Sequence, residues 1–122
     1  MSRQLVFVVE HNMMVRSSIT KRLTRKDFRV RSFESGEAAL IALTEEQPDL
    51  VLLDYKMPGL NGEQILEKMF KMGLSIPVVL LTAHRDFLEV FHWNYQGPVS
   101  VVTKSLELED IVLVVQNAMS PQ

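Results

Sequence analysis

Asp49-Leu50-Val51-Leu52-Leu53-Asp54-Tyr55-Lys56-Met57-Pro58-Gly59-Leu60-Asn61-Gly62 reads as a buried strand, a turn and the opening of a helix. The unbroken apolar run at 50–53 is the pattern of a strand covered on both faces, where no position has to turn toward water. Asp54 ends it, so a carboxylate stands where the apolar strand stops. Met57-Pro58-Gly59 breaks the chain behind it. Asn61 then opens a helix, with Gln64 three residues on as its capping-box partner and Gly73 at its close.

Working outward, four more apolar runs are strand candidates, at 5–9, 28–33, 76–81 and 99–102. All but the second are near-continuous in Val, Ile and Leu, as in strands buried on both faces. The second alternates, with Phe28, Val30 and Ser32 on one face and Arg29, Arg31 and Phe33 on the other, which suits an edge. Helical patterns lie between. Val15, Ile19 and Leu23 recur every four residues, ahead of a cationic end at Lys21, Arg22, Arg25 and Lys26 that suits the helix dipole. Ser35 caps a second helix over 36–47, stopped by Pro48. A fourth is expected over 86–94, capped by Asp86, and a fifth over 106–119 with Glu107, Glu109 and Asp110 in its opening turns. Five strands alternating with five helices predict an α/β, (βα)5 doubly wound, flavodoxin-like fold. Its five-stranded parallel sheet should run in the order 2-1-3-4-5, with the switch point between strands 1 and 3.

The 122 residues suffice for one domain, and 47% hydrophobic content fills one core. Thirteen basic against 15 acidic residues leave a net charge of −2, so no global field favours nucleic acid or an anionic membrane. There is no cysteine, which excludes disulfides, thiolate metal sites and thiol catalysis and fits a reducing cytoplasm. No apolar stretch nears the roughly 20 residues a membrane helix needs. The expectation is a cytoplasmic single domain over 1–122, with its core at about 4–119 and any output domain absent from this chain.

In such a sheet ligands bind beyond the carboxyl ends of the strands at the switch point. There the sequence places Glu10-His11, Asp54, Thr82 and Thr103-Lys104. A carboxylate facing a phosphodonor is a competent nucleophile when a cation neutralises the phosphoryl oxygens. Asp54 is the candidate nucleophile, Lys104 a fixed charge for one phosphoryl oxygen and Thr82 a hydroxyl donor to another. A hard ion such as Mg²⁺ needs oxygen ligands, which Glu10, Asp54 and a backbone carbonyl of the following loop can supply.

The stretch 49–62 resembles the signature of bacterial response-regulator receiver domains, and Leu80-Leu81-Thr82-Ala83 and Val101-Val102-Thr103-Lys104 resemble that family's two later signatures. The resemblance spans about residues 4–119. It implies a regulatory domain of two-component systems that assists its own phosphotransfer and dephosphorylation. Asp54 would be phosphorylated from a phosphohistidine on a sensor histidine kinase or phosphotransfer protein. It further implies that Thr82 turns toward the phosphoryl group, that Lys104 pairs with it, and that Lys56 lends its backbone carbonyl to the metal. Lys56 and His84 would tune phosphoryl lifetime. The fourth helix, fifth strand and fifth helix would form a homodimer or effector face, and Trp93, beside His92 and Tyr95, falls near it.

Three positions depart from the family pattern. Glu10-His11 replaces two adjacent acids; imidazole is a poor Mg²⁺ ligand, so weak binding is expected, with Mn²⁺ better suited. His11 is left open between metal ligand and phosphoryl contact. Val101 stands where a switching aromatic is usual. Ser105 replaces a proline that normally follows a cis bond, so a trans bond is expected there. These departures support an alternative, a pseudo-receiver that binds proteins without switching. A haloacid-dehalogenase-type enzyme would need a second aspartate where Lys56 stands, and a flavodoxin-type carrier would need a phosphate loop after the first strand.

Overall fold

The computed structural model describes residues 3–83, 94–103 and 108–119. Among them the chain forms β1 (Leu5–Val9), α1 (Met13–Arg25), β2 (Arg29–Phe33), α2 (Gly36–Leu43), β3 (Leu50–Asp54), α3 (Gly62–Lys71), β4 (Val78–Thr82), β5 (Val99–Thr103) and α4 (Leu108–Met119). All five strands pair in parallel, in the expected order β2-β1-β3-β4-β5. Of the helix expected over 86–94 only Asn94 is described, and it is not helical; the rest of it, Trp93 included, and His84, Lys104 and Ser105 lie outside the described residues.

Successive strand side chains point to opposite faces, and this alternation divides the core in two. Phe7, Val9, Val51, Leu53 and Leu80 pack with Ala39 and Leu43 of α2 and Ile65 and Met69 of α3. Val6, Val8, Leu50, Leu52 and Leu81 pack with Ile19 and Leu23 of α1 and Ile111 and Val115 of α4. β1, β3 and β4 are therefore buried at every position, which is why their sequences do not alternate. Truncating Leu52 or Ile65 to Ala should cost about 2–5 kcal/mol in lost burial and cavity.

β2 is the expected edge. Its Arg31 guanidinium lies over the rings of Phe7 and Phe33 and, with Arg29, reaches Glu46 at 3.2 and 3.3 Å. β5 differs from expectation: its apolar run is only partly buried, because it ends the sheet and has β4 alone as a neighbour. β4 starts at Val78 rather than Ile76, since Pro77 has no N–H for the ladder and contributes only its carbonyl, to Val51. α2 stops at Leu43, short of Gln47: the Thr44 hydroxyl turns back onto the Ile41 carbonyl, and Pro48 bars helical geometry at the residue before it.

The caps follow the sequence. Ser35 accepts from the Ala38 N–H, and Asn61 and Gln64 form the full capping box. Gly73, at φ +77°, closes α3 with its N–H on Phe70 and the Leu74 N–H on Met69. Of the methionines, Met69 is fully buried, whereas Met13 and Met14 are exposed on the first turn of α1.

Candidate functional site

Val9 is level with Leu53 in adjacent strands, so the chain reaches Glu10 and Asp54 side by side at the carboxyl end of the sheet. Both carboxylates are 1% exposed, and Thr82, at the end of β4, is 5% exposed. Burying two acids together is unfavourable for folding, and such clusters mark sites where charge is used. The half-exposed imidazole of His11 sits against both, its Nδ1 3.4 Å from Glu10 Oε2 and 3.7 Å from Asp54 Oδ2.

The turn carrying these groups is held by residues that the strand-end reading missed. The Asn12 N–H donates to Glu10 Oε2 at 3.1 Å, while the Asn12 side chain caps α1 by accepting from Val15. Arg16, one turn into α1, donates to the carbonyls of Glu10 and His11 at 2.8 and 3.3 Å. Asn12 carried an ordinary N-cap signal in the sequence; Arg16 carried none, because its partners are backbone atoms.

Across the site, the Gly62 N–H donates to the Tyr55 carbonyl at 2.8 Å. A Cβ at Gly62 would lie 3.0 Å from Tyr55 Cα and 2.7 Å from Leu80 Cδ1, so glycine is what lets α3 begin against the strand that carries Asp54. Exposed Lys56 joins Tyr55, Met57, Asn61 and Thr82 around a cleft of about 500 Å³. Burial pushes the Tyr55 hydroxyl pKa up, and nearby Glu63 adds to the effect. Thr103 is level with Thr82, and Val101, half-buried and level with Leu80, packs against the core on the α2–α3 side. The structure thus gathers Glu10, His11 and Asp54, and sets Thr82 at the neighbouring strand end. Lys104 and His84 lie outside the described residues.

One ligand atom each from Glu10, His11 and Asp54 lie within 4.8 Å of one another. Two buried carboxylate oxygens suit a hard divalent cation. The third donor, a nitrogen, departs from an all-oxygen set, but imidazole also binds divalent transition metals.

The sequence matches the family described as response regulator receiver domain over residues 6–116. It is 30% identical to the DNA-binding transcriptional regulator NtrC of Klebsiella pneumoniae over 98% of this chain, but spans only 26% of that protein. Sporulation initiation phosphotransferase F of Bacillus subtilis is 26% identical and is covered over 90% of its length, as is 91% of this chain. In three dimensions the chain resembles the Francisella response regulator 1452 receiver domain with a TM-score of 0.85 at 19% identity, over 96% of this chain and 97% of that one. It also resembles the response regulator StyR with a TM-score of 0.83 at 26% identity, over 97% of this chain and 60% of that one. Sequence, sheet order and the acidic strand ends agree: this chain belongs to the response regulator receiver domain family, a regulatory rather than a classically enzymatic one.

Proposed function

We propose that the chain is a phosphorylation-dependent signalling switch whose phosphoacceptor is Asp54. The observation that carries this reading is the Asp54 carboxylate, buried at the end of β3 beside Glu10 and next to the strand ending in Thr82. One Asp54 oxygen attacks the phosphorus of a phosphohistidine on a sensor histidine kinase or phosphotransfer protein. A P–O bond forms, the P–N bond breaks, and the departing imidazole keeps the electron pair and takes up a proton. The Thr82 hydroxyl donates to one phosphoryl oxygen and the Lys104 ammonium pairs with another. A divalent cation, Mg²⁺ or Mn²⁺, neutralises phosphoryl charge when bound; Glu10, Asp54 and the Lys56 backbone carbonyl would hold it.

Lys56 and His84 set phosphoryl lifetime in this reading, and Val101 occupies the switch position without an aromatic ring to move. Residues 1–122 act as one receiver domain in the cytoplasm, with DNA binding, if the full protein has it, left to an output domain elsewhere. The face around the fourth helix, β5 and α4 is the proposed homodimer or effector contact. A pseudo-receiver that binds proteins without switching is the second reading, favoured by the His11 imidazole lying against both carboxylates. Intact-mass measurement after incubation with acetyl phosphate and Mg²⁺ or Mn²⁺ decides between them. A switch gains one phosphoryl mass that Asp54→Asn loses; a pseudo-receiver gains none.

A further inference from the structure

We infer that His11 is a direct metal ligand, and that it shifts the cation preference of this site away from Mg²⁺ toward divalent transition metals such as Mn²⁺ and Co²⁺. The inference rests on the site proposed above and concerns which ion it takes.

The geometry comes first. In an octahedral shell with bonds of about 2.1 Å, neighbouring ligand atoms are about 3.0 Å apart, and in a tetrahedral one about 3.4 Å. The Nδ1 of His11 stands 3.4 Å from Glu10 Oε2 and 3.7 Å from Asp54 Oδ2, and one ligand atom from each of the three residues lies within 4.8 Å of the others, so small side-chain rotations bring them around one ion. His11 is about half exposed and has room to rotate. The surrounding turn is already fixed, by the Asn12 N–H on Glu10 Oε2 and by Arg16 on the carbonyls of residues 10 and 11. The backbone that carries the imidazole is therefore held in place beside both carboxylates.

Selectivity follows from donor chemistry. Mg²⁺ keeps its oxygen shell and gains little from imidazole, whereas Mn²⁺ and, more strongly, Co²⁺ accept nitrogen readily. Every site of this kind prefers Co²⁺ to Mg²⁺ to some degree, so the informative quantity is how that ratio changes when the nitrogen is replaced by oxygen.

The test is calorimetric titration of the whole chain with Mg²⁺, Mn²⁺ and Co²⁺ in the wild type, His11→Asp and His11→Gln, with electron spin-echo spectra of each Mn²⁺ complex. Nitrogen modulation from imidazole should appear in the wild type and vanish in both variants. His11→Asp should shift the Co²⁺-to-Mg²⁺ affinity ratio at least tenfold toward Mg²⁺. Absence of nitrogen modulation in the wild type, or a ratio unchanged within twofold in His11→Asp, would overturn the inference. Intact mass after acetyl phosphate treatment of the same samples separates the two proposals. Nitrogen coupling without phosphoryl uptake sinks the phosphoacceptor reading alone, and uptake without nitrogen coupling sinks this one alone.

Discussion

The Nδ1 atom of His11 lies 3.7 Å from Oδ2 of Asp54 and 3.4 Å from Oε2 of Glu10. This imidazole is where the chain's chemistry departs most from an all-acid pocket. Glu10 supplies a buried carboxylate to the same cluster. Glu10→Gln should therefore weaken divalent-cation binding by at least the roughly 10- to 100-fold that loss of a partner beside a metal ligand costs. Titration calorimetry with Mn²⁺ measures it; unchanged affinity would remove Glu10 from the site.

Asp54→Asn should stabilise the cation-depleted protein, by on the order of 1 kcal/mol, because it relieves repulsion between two carboxylates that are both buried. Urea denaturation in the presence of a chelator provides the comparison. A lowered midpoint would mean that Asp54 contributes to the fold more than it opposes it.

Gly62→Ala and Gly73→Ala separate structural cost from functional cost. At Gly73 nothing lies within 4 Å of a new Cβ, so only the left-handed backbone is penalised, by about 1–2 kcal/mol. At Gly62 the Cβ meets Tyr55 and Leu80, and overpacking there costs about 1–3 kcal/mol. Both variants should unfold at lower urea. Only Gly62→Ala should also slow phosphoryl uptake, because relieving the clash displaces Tyr55, next to Asp54.

The sequence reads best where a local rule and the fold agree. The buried runs at 5–9 and 50–53, the Asn61–Gln64 box and Gly73 all appear where pattern and capping rules put them, and these elements carry Glu10 and Asp54 to one end of the sheet. The rest depends on neighbours that no local pattern encodes. The partial exposure of β5 comes from its place at the end of the sheet, and the start of β4 at Val78 from a proline within an otherwise apolar run. The anchoring role of Arg16 depends on two carbonyls across the turn. His11 was visible as an anomaly, but whether it faces the carboxylates is a matter of side-chain direction that spacing alone does not determine.

Tyr95 gives the fold an alkaline limit. Its buried hydroxyl donates to the Ile76 carbonyl, and burial pushes its pKa up to about 12 from 10.0, with the hydrogen bond to Ile76 acting in the opposite sense. Because the folded state holds this proton more tightly than the unfolded state, its contribution is fully present below about pH 10. It is lost as pH rises through about 12. Tyr95→Phe should cost about 1 kcal/mol at neutral pH and flatten the fall in urea midpoint between about pH 9 and pH 11.5. An equally steep fall in the variant would assign the alkaline loss to other groups.

The central claim is that Asp54 accepts the phosphoryl group, and borohydride trapping tests it most directly. Reduction of an aspartyl phosphate yields homoserine, so the chain is treated with acetyl phosphate and a divalent cation, reduced with borohydride, digested and sequenced by mass spectrometry. Homoserine at position 54, absent when acetyl phosphate or the cation is omitted, is the predicted result. Homoserine at another aspartate, or at none in a protein shown to be folded, would contradict the account.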